Sequence, residues 1–386
     1  MDHGSTLKSL SAKLGAMPVG RKAFVGMDGF IDNIIAVVRT RRDAASYEPY
    51  ATIPEWAKAV DAAGGKSANF ELAIKATKLG GNGPIMANAL CRAGLAVSYM
   101  GVLGDPIAPV FKPFADACKA VDSIGAPGVT DALEFSDGKL MLGKYESLAG
   151  VGYKTVMERV GLDRLTRLVE ESDLIAMTNW TMMIGMTELW KGMLKNVLPR
   201  VKGLSAKWLF IDLADPAKRT RADLLEALGV LQKYAKLCRV ILGLNLHEAE
   251  QVAAVLGVKG HGLEPLKLAQ GIRKKIKAHS VVVHPVEQAA CSSEAGDACV
   301  AGPYSPKPRL ATGAGDNFNA GFCHGLLAGG TPEEALYCGV CTSGYYVRNM
   351  GSPQRDGLRR FAEFWAERPG LKGEAFDKAY FAAKIG

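Results

Sequence analysis

The chain has 386 residues, 48% hydrophobic and 22% charged, a balance that excludes a wholly disordered, collagenous or coiled-coil protein. At about 100 to 200 residues per domain, that length allows one elaborated domain or two to three smaller ones. Lys plus Arg total 47 against 39 Asp plus Glu, a net charge of +8, and clusters such as Arg39-Thr40-Arg41-Arg42 and Arg273-Lys274-Lys275 carry no interleaved aromatics, so no nucleic-acid partner is expected.

Residues 1–20 lack a long apolar centre, and no stretch reaches the about 18 to 20 apolar residues of a membrane span, so a cytoplasmic protein without a membrane partner is expected. Apolar, β-rich runs then recur at 22–27, 96–102, 173–178, 207–213, 239–244 and 280–284, with helical patterns between most of them at 85–93, 110–120, 186–201, 222–237 and 248–256. Buried strands alternating with helices predict an α/β fold, a doubly wound and mainly parallel sheet with helices on both faces. Two segments break the alternation. Residues 32–39 read as a strand following almost directly on the first, and 131–135 with 139–145 read as a hairpin turning at Ser136-Asp137-Gly138. These strands are expected to form a small β lid over a site on the main sheet, and a homodimer through them is the expected assembly. The main domain is expected over 20–352, with a helical extension over 353–386.

Eight cysteines are scattered without a secreted-type framework and are read as reduced thiols. Cys338-Gly339-Val340-Cys341 has the spacing of half a zinc site, but no second pair completes it and its setting is helical, so core packing is expected.

The richest segment is Thr312-Gly313-Ala314-Gly315-Asp316-Asn317-Phe318-Asn319-Ala320-Gly321, leading into an apolar helical run. Small residues before a helix let backbone N–H groups converge on an anion, and the helix dipole adds positive potential there. A carboxylate at that place would repel a phosphate unless it has another task, such as taking a proton from an attacking hydroxyl. Equally, Asp316 could be a plain N-cap after a tight turn. A second glycine-rich segment, Gly80-Gly81-Asn82-Gly83-Pro84, also precedes a helix and permits close backbone approach of a ligand. Asp28 and Asp32 follow the first strand, where α/β sheets place their ligands.

These elements, in this order, resemble the ribokinase-like (phosphofructokinase B) carbohydrate and nucleoside kinases over about residues 20–352. The resemblance rests on Gly80-Gly81, Asn245-Leu246-His247-Glu248 and Gly313-Ala314-Gly315-Asp316. It implies that Asp316 is the catalytic base, that the amides of Gly313, Ala314, Gly315 and Asp316 form an anion hole, and that Asn245 and Glu248 organise Mg²⁺ and phosphates. It further implies that Asp28 or Asp32, with Gly80, Gly81 and Asn82, holds substrate hydroxyls, while Thr312, His284 and Asn349 flank the nucleotide. The chain departs from the family pattern at Leu310, where an Asp is usual, and at His284-Pro285-Val286, where Thr-x-Gly is usual. The run Gly80 to Asn88 is also similar to the ADP-dependent glucokinase branch. The implied activity is transfer of a phosphoryl group, from MgATP first and ADP second, to a primary hydroxyl of a sugar, nucleoside or polyol. A silent sugar or nucleotide sensor of the same fold is the alternative. A dehydrogenase is disfavoured, because Phe318 stands where a dinucleotide fingerprint needs its third glycine, and Gly65-Lys66-Ser67 is no P-loop because its first glycine position holds Val60.

Overall fold

Apolar runs that cannot face water on either side need cover on both. The computed structural model describes residues 2–259 and 262–385 and supplies that cover as helical layers on a central sheet. In chain order the strands are β1 (Lys22–Met27), β2 (Phe30–Arg41), β3 (Tyr47–Pro49), β4 (Glu71–Gly80), β5 (Ala96–Gly101), β6 (Ala120–Ser123), β7 (Gly128–Phe135), β8 (Gly138–Lys144), β9 (Leu174–Met177), β10 (Trp208–Asp212), β11 (Arg239–Leu244), β12 (Ser280–Val283), β13 (Gln288–Ser293) and β14 (Gly296–Ala301). The main sheet has nine strands in the order β14-β13-β12-β11-β10-β9-β1-β5-β6. It is parallel from β12 to β6, and β13 and β14 extend it antiparallel. The α/β architecture read from the sequence is the one observed.

Each face has its own core. Helices Leu162–Glu171, Met186–Gly192, Arg221–Tyr234, Leu246–Val255 and Pro265–Ile276 bury one side around Trp180, Trp190 and Leu228. Helices His3–Ala16, Asn82–Arg92, Ala314–Leu327, Pro332–Asn349 and Arg355–Ala366 bury the other around Phe318, Phe322 and Cys338. Phe376 and Tyr380 of helix Gly373–Ala382 pack onto Phe361 and Phe364 in that second core. The segments outside 20–352 are therefore built into the same layers, not appended to them. All eight cysteines are free, and Cys338 and Cys341 are buried in a helix. Among the described residues, no helix is long and apolar enough to cross a membrane.

A second sheet of five strands is centred on β2, which pairs parallel with β7 and antiparallel with β4 and β3, while β7 turns into β8. The lid strands expected from the sequence are here, and β4 joins them. Ile35, Val37 and Leu133 form its small core, covered by Trp56, Phe70 and Phe135. Only Asp28 and Gly29 separate β1 from β2, so the lid is rooted at the carboxyl end of the main sheet, where the site lies.

Candidate active site

Four strand ends and three helix starts make the site. Asp28 leaves β1 and turns inward, fully buried. Its carboxylate accepts from the N–H groups of Asn82 (2.9 Å) and Gly83 (2.8 Å), the Thr178 hydroxyl (3.1 Å) and the Asn179 amide (2.8 Å). Those donors take up the lone-pair capacity of a carboxylate, and the charge sits on the N-terminus of helix Asn82–Arg92, where the dipole favours it. Asp28 thus caps a helix inside the protein, its carboxylate fully engaged by protein donors. The glycines follow from the same contact: a side chain at Gly83 would come within 2.5 Å of Asp28, and Gly81 adopts φ +97° beside it.

Asp32 lies on β2 opposite Lys78 of β4 and Thr130 of β7, half-buried. Burial raises its pKa, against the Thr130 hydroxyl bond and the nearby Lys139 ammonium. Gly80 is packed against this carboxylate so closely that a Cβ would come within 2.3 Å of it. Of the two acidic candidates, Asp32 is the less buried.

Asp316 stands in the first turn of helix Ala314–Leu327, and the Asn82 side-chain amide donates to its Oδ1 at 2.9 Å. Burial pushes its pKa well above the ordinary carboxylate range, Asp212 pushes it further, and the Asn82 bond opposes both. Gly313 caps the helix in the left-handed region at φ +87°. The amide of Ala314 donates back to the Ala311 carbonyl at 3.1 Å, so it is withdrawn from the expected anion hole. The amides of Gly315 and Asp316 meet no protein acceptor among the described residues and keep that role open. Thr312 is exposed, its carbonyl held by the Tyr346 hydroxyl at 2.8 Å.

Asn245 and Glu248 form a reciprocal capping box on helix Leu246–Val255: the Glu248 N–H donates to the Asn245 side chain, and Glu248 accepts from the Asn245 N–H, each at 2.9 Å. Burial raises the Glu248 pKa to about 9, with Asp212 adding repulsion. His284 directly follows β12 and stacks on Phe318 at 4.5 Å between ring centroids, and burial drives its pKa down to about 4, so it is neutral. Asn349 does not line the cleft described below: its amide donates to the Tyr345 carbonyl (2.9 Å) and the Tyr380 hydroxyl (2.7 Å), binding two helices together.

Asp212 was not singled out from the sequence. It ends β10, buried, accepting from the Ala214 N–H (2.6 Å) and the Asn319 amide (3.0 Å). Its signal was a carboxylate at the carboxyl end of a parallel strand, hidden in an apolar run.

Asn82, Asp212, Asn245, Glu248, His284 and Asp316 share one cleft of about 460 Å³, which Asp28, Asp32 and Gly80 do not line. Asn82, Asp212, Glu248 and Asp316 supply polar lining, and Val286, Pro303, Tyr304, Pro308, Val340 and Val347 also line it. Among the described residues, no lysine or arginine lines it. A polyphosphate brought there would meet carboxylates without a side-chain cation, so a divalent cation suits the donor set. Among the described residues, no three acidic, His or Cys side chains are already gathered as a metal cluster.

The model of a family described as prokaryotic ketohexokinase matches residues 5–365. A ketohexokinase of Haloferax volcanii is 31% identical over 348 residues, covering 89% of this chain and 91% of that one. Among solved structures, a carbohydrate kinase from Agrobacterium tumefaciens superposes with a TM-score of 0.61 at 18% identity, covering 90% of this chain and 97% of the other. The ribokinase of Arabidopsis thaliana complexed with ribose and ATP gives a TM-score of 0.60 at 16% identity, covering 90% and 100%.

Proposed function

The chain belongs to the prokaryotic ketohexokinase family, among the ribokinase-like carbohydrate kinases, and from that premise we propose that it transfers the γ-phosphoryl group of ATP to a primary hydroxyl of a ketohexose. It is a phosphotransferase with an alcohol acceptor. The observation that carries the finer reading is the Asn82–Asp316 hydrogen bond, which fixes a basic carboxylate between the root of the lid and an anion-binding helix start.

In this reading the sugar lies under the lid against Asp32, Gly80 and Gly81, and the nucleotide lies along the cleft toward Tyr304 and Val347. The acceptor oxygen attacks the γ-phosphorus while the bond to the bridging oxygen breaks and the nucleoside diphosphate leaves. The hydroxyl proton passes to the Asp316 carboxylate, whose raised pKa makes it a stronger base than an exposed aspartate. The amides of Gly315 and Asp316 face the charge that develops on the transferred group. Asp212 and Glu248 are the residues that would hold Mg²⁺, which supplies charge neutralisation on the phosphates. Phosphoryl transfer asks for little beyond alignment and charge compensation, so this sparse set is chemically sufficient.

A screen of ketohexoses, aldoses, nucleosides and polyols against ATP and ADP tests the reading. Turnover confined to ketohexoses with ATP supports it. Turnover only with ADP transfers the donor assignment to the ADP-dependent branch, and binding without turnover makes the chain a sensor.

A further inference from the structure

We propose that helix Gly373–Ala382 braces the nucleotide end of the cleft, with Asp377 as a positioning residue for nucleotide binding. The proposal rests on the donor placement given above and concerns a helix beyond residues 5–365, the span that the family matches.

The cleft wall from Pro303 to Pro308 has no regular secondary structure, so its shape depends on what anchors it. Among the described residues its polar anchors all lead to one place. The Tyr304 carbonyl accepts from Arg348 at 3.2 Å, the Ser305 hydroxyl donates to Asp377 Oδ2 at 2.7 Å, and Lys307 pairs with Glu374 at 3.3 Å. Arg348 is 1% exposed and donates through Nε to Asp377 Oδ1 at 2.8 Å. It also donates to the Gly344 carbonyl at 2.8 Å, and its guanidinium carbon lies 4.7 Å from the Phe376 ring centroid. Tyr304, Ser305 and Gly344 all line the cleft. One carboxylate on the last helix therefore holds a wall residue directly and, through Arg348, two more cleft-lining backbone carbonyls.

The fit there is tight. A side chain at Gly344 would come within 2.6 Å of Pro303, so a small shift of the wall changes the width of the nucleotide end. Arg348 is deeply buried, and a buried guanidinium stripped of its counter-ion is strongly destabilising, which makes Asp377 the condition for the whole arrangement. Asn349 adds to it, since its bond to Tyr380 fixes the same helix.

The test compares Asp377→Asn and the double variant Arg348→Met/Asp377→Leu with the unaltered full-length protein. The double variant replaces the ion pair with apolar side chains and so avoids a lone buried charge. Affinity for ADP and for an ATP analogue with an unreactive β–γ bridge is measured by calorimetry, beside KM for sugar, kcat at saturating nucleotide, and melting temperature. The expected result is a loss of nucleotide affinity of about five- to tenfold, with sugar KM and kcat held within about twofold. If either folded variant binds nucleotide as the unaltered protein does, the brace is only structural and the proposal is overturned. Val347→Trp, which fills the cleft, separates the two layers of the argument. Should it bind nucleotide normally, the donor placement itself is wrong; should it lose binding while the Asp377 variants keep theirs, only the brace is wrong.

Discussion

The side-chain amide of Asn82 donates to Oδ1 of Asp316 at 2.9 Å, joining two helix starts that lie 234 residues apart in sequence. The contact ties the glycine-rich turn at the root of the lid to the carboxylate that the proposed chemistry needs. It favours the ionised form of Asp316 against burial and the charges of Asp212, Asp28 and Glu248.

Replacing Asp316 with Asn removes the proton acceptor and keeps the shape. The expected outcome is a fall in kcat of about 10² to 10⁴ with nucleotide affinity little changed. Steady-state kinetics checks this, and a variant that retains more than half the activity removes Asp316 from the mechanism.

Asn82→Ala should act through Asp316. Without the amide donor the ionised carboxylate loses a stabilising bond, so its pKa rises and the acidic limb of the kcat/KM profile moves to higher pH. At the optimum, kcat should fall by about tenfold. An unshifted acidic limb would show that the hydrogen bond does not govern the base.

Much of this arrangement was legible in the sequence, for reasons that also explain the omissions. β1, β5, β9, β10, β11 and β12 are buried on both faces, and their near-continuous apolar runs gave boundaries good to about a residue. β4 went unread because Glu71, Leu72, Ile74, Lys75, Thr77 and Lys78 are exposed, which leaves no buried stripe to detect. β6 begins at Ala120, inside the helix expected to run to that residue. The helix expected over 186–201 leaves α-geometry after Gly192 and ends in a tighter turn containing Pro199. At the site, motif residues were found because glycines and carboxylates stand out. The internal cap made by Asp28 was not legible, because spacing cannot tell a carboxylate that faces a ligand from one bonded to a helix start inside the protein.

Glu248 and Asp212 link the site to stability. Their folded-state values of about 9 and about 6 lie above the ordinary 4.5 and 3.8, so the folded chain binds protons more tightly than the unfolded one. Their contribution therefore falls as pH climbs through that window. His284, depressed from 6.5 to about 4, acts oppositely and costs stability as pH falls below about 6.5. Glu248→Gln should flatten the decline in melting temperature between pH 6 and 9 and raise the Mg²⁺ concentration for half-maximal rate. Thermal melts across pH, with a Mg²⁺ titration, check both; parallel melting curves for variant and wild type would contradict the assignment.

The lid should be mobile without sugar. Its core of Ile35, Val37 and Leu133 is small, and closure over the sugar would exclude water that could take the phosphoryl group. Hydrogen exchange with and without a phosphorylated sugar should show slowing at 131–135 and 139–145, with β10 unchanged. Exchange in the hairpin that ignores substrate would assign those strands to the rigid body.

The central claim is that this carbohydrate kinase moves the γ-phosphoryl of ATP to a primary hydroxyl of a ketohexose with Asp316 as base. The most direct measurement is proton-coupled ³¹P NMR of the product formed from ATP and a ketohexose by wild-type protein and by Asp316→Asn. The account predicts a phosphomonoester triplet, from coupling to the two protons of a CH₂ group, that grows with wild type and barely with the variant. A doublet, or equal growth with both proteins, would contradict it.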